Sequence, residues 1–125
     1  MGKPGNNGIG RILRAAIYSG QGLASAWKHE AAFRQEVALM VVMSPLAFWL
    51  GRTLAERALL VGVFLVVIIV ELLNSALEAA VDRHGDEHHE LSGRAKDLGS
   101  AAVFVSLVLA FCAWALVAYL RFWHQ

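Results

Sequence analysis

The stretch Val66–Arg83, VVIIVELLNSALEAAVDR, begins as lipid-compatible hydrocarbon and then sets Glu71, Asn74 and Glu78 inside the same apolar run. At 100° per residue, Glu71, Asn74, Ser75, Glu78 and Asp82 fall within an arc of about 100° on one face of a helix. The 15 Leu, Ile, Val and Phe residues between Ala58 and Val81 each favour insertion by about 0.3–0.6 kcal/mol, whereas a central acid costs about 2.5–3.5 kcal/mol. The two sides nearly cancel, so this face is expected to turn toward protein or water, with partners from other helices or subunits. The helical rise separates Glu71 from Glu78 by about 10 Å, which gives the two acids different depths and different roles.

Working outward, the rest of the chain has the composition of a membrane protein. It has 125 residues, enough for a single domain, of which 58% are hydrophobic and 17% charged. A formal charge of +1 is too small for nucleic-acid binding by bulk electrostatics. The lone Cys112 excludes an intramolecular disulfide framework and a cysteine zinc site. The first 30 residues hold no continuous apolar h-region of the kind a signal peptide requires.

Three spans are expected, at residues 31–50, 58–81 and 99–120. The first reaches spanning length only by starting near Ala31 and carrying Arg34, Gln35 and Glu36 into the interface, where long side chains snorkel. Pro45 is expected to weaken or kink it. Upstream, residues 11–28 place Ile12, Leu13, Ala16, Ile17, Leu23, Ala24 and Trp27 at mostly helical spacing, the pattern of an amphipathic helix in the interface. Gly20 and Gly22 are poor helix formers in its middle. Residues 1–10 are expected to form a disordered tail. The fold class is thus all-α: three transmembrane helices and an N-terminal interfacial helix. Eight of the Lys and Arg residues lie on the side of the N-terminus and the 82–97 loop, against Arg52, Arg57 and Arg121 on the other. That bias puts the N-terminus, and the polar end of the second span, in the cytosol.

The segment 82–100, DRHGDEHHELSGRAKDLGS, reads as a charged loop whose histidine spacing fits no standard zinc motif. Its cations and donors suit phosphates, and its acids suit a hard divalent ion. Neither a Walker sequence nor G-x-G-x-x-G is present. Glu30 and Arg34, at i and i+4, fit a local ion pair or a ligand role equally well. Ser75 reads as a helix-contact residue.

The motifs EAAFRQE (Glu30–Glu36), VELLNSALEAAVDR (Val70–Arg83) and ELSGRAKDLGSAAV (Glu90–Val103) closely resemble the bacterial membrane diacylglycerol kinase family. The likeness runs from about Arg11 to Trp114 in the same order. It implies a homotrimer in the bacterial inner membrane, with sites shared between subunits, that uses magnesium and ATP to phosphorylate diacylglycerol to phosphatidic acid. Glu71 matches the family's general base, Asn74 a site asparagine, and Glu30 and Glu78 its metal-binding carboxylates. Arg11, Tyr18, Glu87, His89, Lys96 and Asp97 match nucleotide-contacting positions, as do Glu30 and Glu78. His88, where the family often has tyrosine, is expected to line that site through its backbone. Lipid contacts are implied at Ala15, Ser19, Gly20, Ala24, Ser25, Trp27, Arg34, Gln35, Glu36, Trp49, Arg52, Arg57, Glu71, Ser100 and Trp114. Gly20 departs from the aromatic that the family often carries there.

The residues bear on two other readings. A proton- or ion-conducting oligomer needs charged acidic or basic groups continuing into the outer half of the spans, and 58–70 and 101–120 contain no Asp, Glu, His, Lys or Arg. Within the kinase class the acceptor is either diacylglycerol or a polyprenol such as undecaprenol, and AAFRQE leans toward diacylglycerol.

Overall fold

The computed structural model describes residues 8–83 and 89–123. Four helices follow one another: α1 (Gly8–His29), α2 (Ala31–Leu50), α3 (Leu54–Asp82) and α4 (Glu90–Phe122). The last three are long and apolar enough to cross a membrane, with mean hydropathies of 1.3, 2.5 and 2.5.

Helix α3 is the middle of the bundle and packs against both α2 and α4. Its buried residues are Leu60, Val63, Phe64, Val67, Ile68 and Glu71, alternating steps of three and one along a single face. That spacing is the seam of helix-on-helix packing. Glu71 occupies the next core position of an otherwise apolar seam, so the polar stripe and the packing stripe are one face of the same helix. The core descends the bundle as three small clusters. Ala47, Leu50, Leu60 and Val117 form one end; Val63, Val67, Ala110 and Ala113 the middle; and Ala26, Phe33 and Ile68 the end nearest Glu71. The small residues of α4, with buried Ser106 among them, let it approach α3 closely.

Element ends differ from the sequence expectation, each for a local reason. Helix α3 begins at Leu54 rather than 58, because Thr53 caps it: its Oγ1 accepts from the Glu56 amide at 3.0 Å, while Glu56 Oε1 accepts from the Arg52 amide at 2.8 Å. Helix α4 begins at Glu90, not 99, and runs 33 residues or about 50 Å. His89 Nδ1 accepts from the Leu91 amide at 3.0 Å and closes its first turn. The C-terminal part of the expected loop, with Lys96 and Asp97, is therefore helical. Helix α1 reaches back to Gly8, so 8–10 are helix, not tail, and it continues through Gly20 and Gly22. Helix α2 is continuous through Pro45. Gly51, between α2 and α3, is required for space, since a Cβ there would meet Arg57 Cγ at 2.9 Å.

Two ties lock the bundle. At the end away from Glu78, Arg52 Nη2 donates to the Arg121 carbonyl at 2.8 Å and Arg121 Nη1 to the Trp49 carbonyl at 2.9 Å. The Arg121 guanidinium also lies 4.8 Å from the Trp49 ring centre. Within the bundle, Trp114 Nε1 donates to the Leu60 carbonyl at 3.1 Å and its ring meets Phe64 edge-on at 5.8 Å. Trp114→Phe keeps the ring contact and loses the donor. It is expected to cost about 0.5–1.5 kcal/mol, read as a lower midpoint in denaturing-detergent titration.

Candidate functional site

Glu71 is 5% exposed. Ser75 Oγ, one turn on, donates to its Oε2 at 3.1 Å. The next turn repeats the pattern, with Asn74 Nδ2 donating to Glu78 Oε2 at 3.4 Å. Helical periodicity alone stacks these i, i+4 pairs on one face. Glu30 joins them from the α1–α2 junction, where it is the N-cap residue of α2 yet makes no side-chain capping bond. Both Glu30 and Glu78 lie within direct charge–charge range of Glu71. So does Glu36. Glu71 thus lies within electrostatic reach of three other carboxylates.

The arginine next to this acid group turns away from it. Arg34 Nη1 donates to the Trp27 carbonyl at 2.6 Å and the Lys28 carbonyl at 3.4 Å, capping the C-terminus of α1. It makes no ion pair with Glu30, so of the two readings of that pair the local salt bridge does not form. Glu36 departs from the snorkelling expected of it: its Oε1 is buried without a hydrogen-bond partner. Helix packing directs it at α3 rather than at water.

Asn74 Oδ1 is likewise buried without a partner. A buried acceptor left unmet costs about 1–3 kcal/mol; the Glu36 oxygen lies on α2, and the Asn74 oxygen lies against Gly99 of α4. All the groups offered are oxygens, the donor set of a hard divalent cation that keeps water and phosphate ligands. Among the described residues no three His, Cys, Asp or Glu side chains close around one point. Magnesium commonly takes only one or two protein carboxylates, with phosphates and water as its remaining ligands, a role open to Glu30 and Glu78.

Toward the end of α3, Lys96 on α4 pairs with Asp82 at 2.7 Å, both side chains well exposed. Lys96 thus stands one turn of α3 beyond Glu78. Asp97 and Ser100 are exposed on the same helix, and His89 is engaged in capping it. Glu87 and His88 lie outside the described residues.

The other residues singled out from the sequence are not brought to the carboxylates within one chain. Arg11, Ala15, Tyr18, Ser19, Gly20, Ala24, Ser25 and Trp27 are exposed on α1, of which only Ala26 is buried. Arg11 is about 28 Å of helix from Glu30. Ser25 and His29 are paired one turn apart, the His29 ring nitrogen 3.1 Å from the Ser25 carbonyl oxygen. Trp27 packs edge-on against Phe33 at 6.5 Å. Gln35 is exposed on α2. Trp49, Arg52 and Arg57 sit at the opposite end of the bundle, Arg57 about 21 Å of helix from Glu71. Trp114 is half-buried in the α3–α4 contact. Two residues are added by the structure: Ser75, which holds Glu71, and Gly99, against which Asn74 packs.

The chain matches known proteins over most of its length. Residues 17–118 match the model of the prokaryotic diacylglycerol kinase family. The chain is 49% identical over 115 residues to "Diacylglycerol kinase" of Escherichia coli (strain K12), covering 92% of this chain and 94% of that protein. It is 52% identical over 113 residues to the protein of the same name from Pseudomonas aeruginosa (strain PAO1), covering 90% and 92%. The Helicobacter pylori (strain 26695) protein of that name is 40% identical over 111 residues, covering 89% and 87%. With three helices able to span a bilayer, this is a multi-pass bacterial membrane protein. The chain belongs to the prokaryotic diacylglycerol kinase family.

Proposed function

We propose that this protein transfers the γ-phosphoryl group of ATP to the free hydroxyl of diacylglycerol, giving phosphatidic acid and ADP at the cytoplasmic face of the membrane. The observation that carries the reading is Glu71: a carboxylate at a core position of a membrane helix, held by Ser75 and faced by Glu30 and Glu78. Intramembrane acids of this kind are expensive and mark function. The names of the relatives support the lipid and the reaction over a polyprenol acceptor.

In this mechanism Glu71 accepts the proton of the lipid hydroxyl as that oxygen attacks the γ-phosphorus. Ser75 fixes which carboxylate oxygen is free to do so. Glu30 and Glu78 would hold magnesium, which would supply charge neutralisation to the nucleotide phosphates. Asn74 orients Glu78. Lys96, shared with Asp82, adds positive charge where the leaving phosphates lie. Arg11, Tyr18, Glu87, His88, His89 and Asp97 contact the nucleotide. The residues of α1, with Arg34–Glu36, Ser100 and Trp114, contact the lipid; Trp49, Arg52 and Arg57 contact its far end.

Helix α1 lies in the membrane interface, its exposed Ile12, Leu13, Ile17 and Leu23 in the acyl boundary. The N-terminus is cytoplasmic, by the Lys and Arg bias. The chain works as a homotrimer, which brings α1 of one subunit within reach of another's carboxylates. The acid-bearing face of α3 supports an oligomer, because three spans are a thin shield for it.

The test is direct. The purified protein in detergent, given diacylglycerol or undecaprenol with ATP and Mg²⁺, is expected to phosphorylate diacylglycerol. Transfer to undecaprenol alone would replace the substrate assigned, and transfer to neither would end the kinase reading.

A further inference from the structure

We infer that Gly99 is a positioning residue of this site: it touches no substrate, but its missing side chain keeps the Asn74 amide turned toward Glu78. The inference rests on Asn74 and Glu78 belonging to the phosphoryl-transfer site.

Helix α4 crosses α3 at Gly99, directly over Asn74. A Cβ built on Gly99 would collide with Asn74 Oδ1, with Asn74 Cγ at 3.3 Å and Leu77 Cδ2 at 3.6 Å behind it. Of the other helical glycines, Gly8, Gly20, Gly22, Gly62 and Gly93 have nothing within 4 Å of such an atom. Glycine at 99 is therefore a matter of contact, not of backbone conformation. The atom it spares is the buried Oδ1 that lacks a partner, while Nδ2 of the same amide donates to Glu78. Oδ1 and Nδ2 belong to one planar group, so any rotation that takes Oδ1 off position 99 carries Nδ2 off Glu78.

What gives way is also set by the surroundings. Asn74 lines a cleft of about 290 Å³ between α3 and α4, whose walls include Val70, Leu73, Leu77, Leu98 and Ala102. The amide has room to swing into it, and the colliding atom is the end of a side chain with two torsions. A methyl group at 99 is then accommodated by turning Asn74, with both helix backbones in place. The fold survives and the Asn74–Glu78 geometry does not. Misplacement of this size at a reacting centre costs on the order of 10- to 100-fold in rate.

The experiment uses full-length Gly99→Ala, Asn74→Ala and the double variant in detergent. Gly99→Ala is expected to keep the wild-type thermal midpoint and lipid KM while kcat falls on the order of 10- to 100-fold. The double variant is expected to match Asn74→Ala alone, since Gly99 acts only through Asn74. In ¹⁵N NMR without nucleotide or metal, the side-chain amide pair that disappears in Asn74→Ala is expected to move in Gly99→Ala, with other side-chain amides unmoved. Wild-type kcat in Gly99→Ala, full additivity in the double variant, or a Gly99→Ala protein that fails to fold each overturns the proposal. Full activity in Asn74→Ala overturns the site assignment as well, a failure distinct from loss in Asn74→Ala with none in Gly99→Ala.

Discussion

Glu71→Gln is expected to lower kcat for diacylglycerol phosphorylation by about 10²–10⁴-fold, the usual contribution of a general base, in a protein of unchanged helicity. The substitution isolates the proton acceptor because little else changes. Glutamine has the same shape, its Oε1 still accepts from Ser75 Oγ, and the core position next to Ile68 stays filled. Lipid KM is expected to hold, because the hydroxyl still finds an acceptor in the ground state. Removing a charge that sits beside Glu30, Glu36 and Glu78 also relieves like-charge contacts. The thermal midpoint in detergent should therefore stay level or rise, as is common where an active site is strained. A folded Glu71→Gln protein with wild-type kcat would remove Glu71 from the chemistry. A collapse in stability would instead make it a structural group.

Glu78→Gln is expected to reduce kcat/KM for ATP by on the order of 10²–10³-fold, as loss of one charged group from a phosphoryl clamp does. Its signature differs from that of Glu71→Gln. The magnesium concentration for half-maximal rate should climb, and excess magnesium should recover part of the activity, because Glu30 keeps one carboxylate of the pair. The Glu71 variant should gain nothing from added magnesium. The Asn74 amide still has an acceptor in the glutamine carbonyl, so the local helix is undisturbed. Identical magnesium profiles for the two variants would show that the acids do not divide into base and metal ligand.

The two depths of these acids could be read before any coordinates, and the reason is periodicity. An α-helix sets its own geometry, so the shared face of Glu71, Asn74, Glu78 and Asp82, and the two depths of Glu71 and Glu78, follow from spacing alone. Some misread boundaries were also legible in principle. Thr53-Leu-Ala-Glu56 is a capping box, and it marks the start of α3 at Leu54. The start of α4 was harder. Its first turns carry Glu90, Arg94, Lys96 and Asp97, so hydropathy sees a loop where the backbone is a helix extending past the apolar part of its span.

The amino-acid sequence by itself determined the local and the periodic: three apolar helices, one polar stripe and an uneven spread of Lys and Arg between the two ends. The tertiary structure decided whatever depends on one helix meeting another. The crossing of α4 over Asn74 makes Gly99 matter. The reach of Arg34 to the end of α1 leaves Glu30 to the acid group. The turning of Glu36 toward Glu71, where a snorkelling side chain was expected, follows from the packing of α2 on α3. None of these has a spacing rule, because the distance between two helices is set by the side chains of both and appears in neither segment alone.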